Sequence, residues 1–276
     1  MRDSYDDFRR AVDRSDATIE LGRATLAMAK SEYPNLDAEM YLSRIDQLAA
    51  AVCRRTGSEP TVYRAIAALN YVLFREEGFQ GNREEYYDAK NSFLNEVIER
   101  KKGIPISLSV LYMLVAQRIG LALHGVGFPG HFLVKYAAAE EEIVIDPFNG
   151  GEVKSVESLE GLLRALSGGE VDFHPAMLAP ATPKQILKRM LANLKIIYLR
   201  QDEPLKALTV IDRLLILDPR SPESLRDRGL VYLKLECLNQ ALEDFREYLR
   251  VAPDAVDGAT IRDHVVALTK RVRQIH

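Results

Sequence analysis

An internal repeat in the C-terminal third constrains this chain more than any other feature of its sequence. Leu194, Lys195, Tyr198, Ala207, Ile211, Leu214 and Pro219 align with Arg228, Gly229, Tyr232, Ala241, Phe245, Tyr248 and Pro253 at a constant offset of 34 residues. A period of that length is one pair of antiparallel helices per copy. Ala207 and Ala241 are small where the paired helices approach, and Pro219 and Pro253 end the second helix of each copy. Such a unit cannot bury its apolar face alone, so two copies need cover at both ends. The helical pattern over residues 255–275 is expected to cap one end and the preceding domain the other. Thr182-Pro183-Lys184-Gln185 is a capping box with proline at the first helical position, which places the domain boundary near residue 182.

Charge and composition narrow the function classes. With 37 Lys+Arg against 40 Asp+Glu, the net charge is −3, and 47% of the 276 residues are hydrophobic. The chain can fill a core, and it lacks the basic field of a duplex binder, so no nucleic-acid partner is expected. Cys53 and Cys237 stand far apart in no metal-binding spacing, which fits a reducing cytoplasm. Residues 1–16 are charged throughout, unlike a signal peptide. The lightly charged stretch 103–134 is interrupted by Arg118 and by glycine and proline, so it reads as core and no membrane association is expected. His124, His174, His264 and His276 show no ligand spacing, and neither a metal nor a cofactor is expected. Gly125-x-Gly127-x-x-Gly130 has the form of a dinucleotide fingerprint. A strand pattern follows it where that fingerprint needs a helix.

Ahead of the repeats the periodicity is mixed. Helical spacing recurs through residues 1–102, as in Ile19, Ala24, Leu26 and Met28, or Ile66, Leu69, Val72 and Leu73, with Gly57-Ser58-Glu59-Pro60 between two segments. Residues 91–99 form a short helical pattern closed by Arg100-Lys101-Lys102 and Gly103. An apolar run over 106–119 is long enough for a buried helix, stopped by Gly120. Residues 121–128, 131–136 and 142–145 read as consecutive antiparallel strands, and a helix over 155–168 follows. The expected architecture is an α+β domain, residues 1–181, made of a helical region 1–102, a core 103–151 and the trailing helix. An all-α repeat domain, residues 182–276, completes it.

Chemistry is concentrated in the core. Gly103-Ile104-Pro105-Ile106-Ser107 opens a helix, Gly130-His131-Phe132 opens a strand, and Ile145-Asp146-Pro147-Phe148-Asn149-Gly150 ends the next. A nucleophile at a helix start, a base and an acid that orients the base is the logic of acyl transfer. These residues resemble the core of the transglutaminase-like, papain-like cysteine superfamily. Its members carry Gly-x-Cys at the start of the core helix, a Leu-Gly pair about four turns on, a histidine on a strand and Asp-Pro-x-Asn after the next. Ile119-Gly120, His131 and Asp146-Pro147-Phe148-Asn149 match, whereas Pro105 stands where the cysteine would be. With a tail whose Gly-x-x-Tyr…Ala…Phe…Pro pattern is that of tetratricopeptide repeats, the chain resembles the SirB-type bacterial family. That resemblance implies the fold and the domain order.

Ser107 is the nearest hydroxyl to the missing thiol. It reads first as a helix cap or buried hydroxyl, and alternatively as a candidate nucleophile with the helix N–H groups as an oxyanion site. Two residues along a helix is a turn of about 200°, which points it away from the cysteine's direction. Ser109 lies further along the same helix. His131 and Asp146 are expected to touch, either as base and orienter or as a structural pair. The cleft would be lined by Pro105, Phe128 and Asn149, and the repeat groove by Arg189, Asn193, Arg200, Arg226 and Lys234. Ala192 and Ile196 occupy first-repeat positions where a carboxylate clamp would need Lys and Asn. The leading expectation is a non-catalytic scaffold that binds a protein or peptide through its cleft and repeat groove. The alternative is a hydrolase or acyltransferase using Ser107, His131 and Asp146.

Overall fold

The computed structural model describes residues 2–57, 60–139 and 141–275. Ser58 and Glu59 of the expected break, and His276, lie outside them. The chain forms two compact units, Met1–Met190 and Leu191–His276.

The first unit starts with four helices, α1 (Arg2–Val12), α2 (Leu21–Ala29), α3 (Ala38–Thr56) and α4 (Val62–Asn70), the last running into a π-helical turn at Tyr71–Glu76. Asp37 caps α3 by accepting from the Glu39 and Met40 amides, and Thr61 caps α4 by accepting from that of Arg64. A short strand β1 (Gln80–Gly81) comes next, then α5 (Leu94–Arg100), then β2 (Lys102–Gly103), which pairs with β1 in parallel. α5 is shorter than the pattern 91–99 suggests, because Ala89–Ser92 forms a 3-10 turn ahead of it. Its C-terminus also turns sooner: Lys101, not Gly103, takes the left-handed conformation, at φ 59°. Gly103 is needed for another reason, since a Cβ there would sit 2.8 Å from the Ser107 hydroxyl oxygen.

The apolar run becomes the central helix α6 (Pro105–Arg118), buried on every face from Pro105 to Ala116. A helix with no polar face must be surrounded, and α6 packs against α2, α3, α4 and α5 and against the sheet that follows. That sheet is a four-stranded antiparallel meander of β3 (His124–Val126), β4 (Leu133–Ala138), β5 (Glu141–Asp146) and β6 (Glu152–Lys154). The last strand was not foreseen: two of its three residues are charged, so no apolar run marks it. His131 precedes its strand by two residues instead of opening it. Helix α7 (Val156–Ser167) follows, capped by Ser155 and closed by left-handed Gly168.

Helix α8 (Pro183–Arg200) begins directly after Thr182, whose side chain and main chain exchange hydrogen bonds with Gln185. The division between the compact units falls inside this helix. In the second unit α9 (Pro204–Leu217) completes the first helix pair, α10 (Pro222–Lys234) and α11 (Leu238–Val251) form the second, and α12 (Gly258–Ile275) follows against α11. Gly229 is obligatory in the second pair, because a Cβ there would meet the Phe245 ring at 2.5 Å. Arg228, beside it, bonds Asp244 from α11 at 2.7 Å and Asp212 from α9 at 2.9 Å, tying three helices together. Burial works against the Arg228 charge, but the two carboxylates outweigh it and raise its pKa.

Candidate functional site

His131 and Asp146 meet across the β4–β5 hairpin, with His131 Nε2 3.0 Å from Asp146 Oδ1 and both residues buried. Asp146 ends β5 and caps the turn Pro147–Asn149. Its Oδ1 accepts from the Asn149 main-chain N–H and its Oδ2 from the Asn149 side-chain amide at 2.7 Å, while Lys154 Nζ lies 3.9 Å away. Burial by itself would raise the Asp146 pKa. The hydrogen bond and charge of His131, the Asn149 amide and the Lys154 charge prevail and hold it below the usual carboxylate value. An ionised carboxylate only accepts, so Nε2 donates in this bond, and Nδ1 is the ring nitrogen that is free to accept when the imidazole is neutral.

The two loops that carry this pair are clamped from outside. Asn70, at the end of α4, donates its amide to the Gly151 carbonyl at 2.8 Å and accepts from the Tyr112 hydroxyl at 2.8 Å. A Cβ on Gly151 would fall 2.0 Å from the Asn70 amide oxygen, and Gly151 has φ +77°, so only glycine fits. The His131 loop is held by Arg189, whose guanidinium donates to the Phe128 carbonyl at 3.1 Å and the His131 carbonyl at 2.5 Å. Arg189, expected in the repeat groove, is therefore a clamp in the first unit. Burial lowers its pKa, with Tyr86 acting in the opposite direction.

Ser107 is turned to a different task. Its hydroxyl donates to the Asn91 carbonyl at 2.6 Å and accepts from the Ile104 N–H at 3.0 Å, and the residue is wholly buried. This is the helix-capping arrangement. Among the described residues no hydrogen bond joins Ser107 to His131, and Ser109 Oγ is buried with no partner. Pro105 is buried at the first position of α6. Phe128, expected in the cleft, is instead wholly buried in a core cluster with Val126, Leu133, Leu159 and Leu163. Asn149 stays at the surface of the site, where Arg83 donates to its side-chain oxygen. The Phe148 ring stands edge-on to both His131 and Tyr86, with centroids 5.9 and 6.3 Å apart.

In the repeat unit, Arg226 pairs with Asp227 and Asp257 at 2.9 and 3.1 Å, and Lys234 pairs with Asp202. Asn193 is half-buried and Arg200 exposed. A small apolar pocket of about 170 Å³ lies by Lys234, with Leu199, Leu230 and Pro204 in its wall. Among the described residues there is no group of three or more His, Cys, Asp or Glu able to hold a metal ion, and no helix is long and apolar enough to cross a membrane.

Sequence reasoning missed Asn70, Tyr112 and Arg83. Asn70 had a signal, being the one amide in the run Ala67-Ala68-Leu69-Asn70-Tyr71-Val72. Arg83 had none.

An α+β core with a buried His131–Asp146 pair, followed by helix-pair repeats, defines a class of protein. The family model for the transglutaminase-like superfamily matches residues 39–192, and that for the tetratricopeptide repeat matches residues 194–265. The chain belongs to the transglutaminase-like superfamily, in the SirB-type family that joins this core to tetratricopeptide repeats. It is 41% identical over 265 residues to a UPF0162 protein of Xylella fastidiosa, covering 95% of this chain and 94% of that one. A UPF0162 protein of Vibrio cholerae is 31% identical, with 91% and 93% covered. Protein SirB1 of Salmonella typhimurium is 26% identical, with 95% and 100% covered. The two domain types together suggest a protein-interaction scaffold.

Proposed function

We propose that this protein is a non-catalytic, transglutaminase-like scaffold that binds a protein or peptide segment at the face around Asn149 and in the repeat groove. The observation that carries this reading is the state of Ser107. A nucleophile must present its oxygen to a base and to an open cleft, and here the oxygen is wholly buried and engaged by Asn91 and Ile104. With Pro105 in place of a cysteine, His131 has nothing to activate. Free Cys53 and Cys237 suit a reducing compartment, and we place the protein in the cytoplasm. The rival reading, a hydrolase or acyltransferase using Ser107, draws on the His131–Asp146 bond, the geometry that would orient an imidazole.

A peptide-display selection on the full chain, paired with labelling by a fluorophosphonate, separates the two. The scaffold reading expects sequence-specific binders whose affinity falls in Arg83→Glu or Leu230→Asp, and no adduct on Ser107. An adduct on Ser107 that disappears in His131→Ala overturns it, as does a selection that returns no specific binder.

A further inference from the structure

A groove of about 590 Å³ opens beside the Asp146 loop, within the roughly 300–1,000 Å³ typical of ligand sites. Arg75, Arg83 and Lys102 line it, against a single carboxylate, Glu84. Most basic side chains on neighbouring segments are ion-paired: Lys101 and Arg44 share Glu77, Arg100 meets Asp88 and Arg55 meets Glu76. The three groove cations differ. Among the described residues none of them forms an ion pair, and the one hydrogen bond that Arg83 makes is to the neutral amide of Asn149. Three cations against one carboxylate leave a net positive charge around one concavity, which focuses a positive potential into it.

The rest of the lining says what kind of anion fits. Phe74, Phe79 and Phe148 supply apolar walls, and the Arg83 guanidinium lies 5.1 Å from the centre of the Phe148 ring. Gly81 lets the β1 backbone approach Phe148, for a Cβ there would meet that ring at 2.6 Å. Guanidinium forks take carboxylates bidentately, and aromatic walls take up the methylenes and main chain between them. Dedicated phosphate sites are usually built on helix N-termini or nests of backbone N–H groups, and no α-helix begins among these lining residues.

We propose that this groove, lined by Arg75, Arg83 and Lys102 and floored by Phe148, binds the carboxylates of an acidic peptide segment. The assignment rests on the scaffold reading and names the chemistry of its partner. Because Asn149 bonds both Arg83 and Asp146, the bound segment lies one side chain away from the His131 pair.

Fluorescence anisotropy of the full-length protein with three labelled peptides of one length tests it: a glutamate-rich peptide, its glutamine counterpart, and one with phosphoserine at the glutamate positions. The glutamate peptide should bind, and should weaken as salt rises because the contacts are solvent-accessible. The glutamine peptide should bind about tenfold less well or worse, and Arg83→Glu or Arg75→Glu should cost the glutamate peptide at least about tenfold. Arg54→Glu, an exposed site outside the groove lining, is the control for net charge and should stay within about twofold of wild type. Circular dichroism melts check that the variants fold, and among the described residues the Arg75 side chain makes no hydrogen bond whose loss could disturb the loop. Equal binding of the glutamate and glutamine peptides, indifference to both groove variants, or a phosphoserine peptide at least about tenfold tighter would each overturn the assignment. If display-selected binders bind Arg83→Glu as well as wild type but are lost in Leu230→Asp, this inference fails and the scaffold reading stands. A Ser107 adduct overturns the scaffold reading whatever the peptides do.

Discussion

In the repeat unit Lys195 meets Glu223 and Asp227, Arg228 meets Asp212 and Asp244, Arg226 meets Asp227 and Asp257, and Lys234 meets Asp202. In the first unit Arg75, Arg83 and Lys102 stand around a groove with no ion-pair partner among the described residues. Read from sequence, the repeat positions look like the basic surface and the groove cations do not stand out. The structure reverses this. Pairing decides where positive charge is on offer to a ligand, and the paired set is architecture, with the four cations crosslinking helices or loops within the repeat unit.

That contrast can be broken by removing members of each set. The largest effect is expected from Arg228→Met, which leaves Asp244 buried and facing Asp212 with their shared guanidinium removed. Removing one partner of a buried pair costs about 3–5 kcal/mol, and part of Arg228 reaches solvent, so about 3 kcal/mol should be lost in urea unfolding. A loss no greater than that of a surface residue would mean that the repeat network is not structural.

Asp146→Asn comes next, because it places an amide nitrogen or a neutral oxygen where Asn149 and His131 now donate to a carboxylate. About 2 kcal/mol should be lost near neutral pH, the scale of hydrogen bonds to a charged group. Since the folded state holds this carboxyl below its ordinary value, its contribution is complete above the unfolded pKa of about 3.9 and is lost as pH falls through the lowered one. Urea titrations of both proteins should therefore converge in acid; a gap independent of pH would show that the lost stability does not come from the ionised form.

Lys234→Ala should cost no more than about 0.5 kcal/mol, as its pair with Asp202 is more than half exposed on both sides. Smallest of all, Arg75→Gln should leave the melting temperature within about 1 °C of wild type, because among the described residues the side chain has no ion-pair or hydrogen-bond partner to lose. A clear loss of stability there would reveal a structural contact and weaken the case for an anion site.

Much of this architecture was legible in the chain. The 34-residue offset specified both helix pairs, and the unbroken apolar run from Ile106 specified a surrounded helix, because periodicity and burial are local signals. The His131–Asp146 contact was legible through the two motifs. The strand β6 and the pairing of β1 with β2 were not, since strands of two or three residues exist only by virtue of their neighbours. Arg189 was misplaced for a related reason. Its position in a helical register suggested a repeat surface, yet two carbonyls of the Phe128–His131 turn, some sixty positions earlier, determine where its guanidinium goes. Arg83 needed the fold, because only folding sets it beside Phe148 and Asn149.

The amide of Asn70 wedged under Gly151 has a consequence for how such chains are recognised. It fixes the Asp-Pro-Phe-Asn-Gly-Gly loop through α4 and, by way of Tyr112, through α6, by contacts that do not involve His131. The loop's shape is thereby uncoupled from turnover. A search keyed to that hexapeptide retrieves a way of bracing a hairpin against a helix bundle, whatever chemistry the rest of the site carries. Position 105, where this chain carries a proline ring, lies outside that hexapeptide.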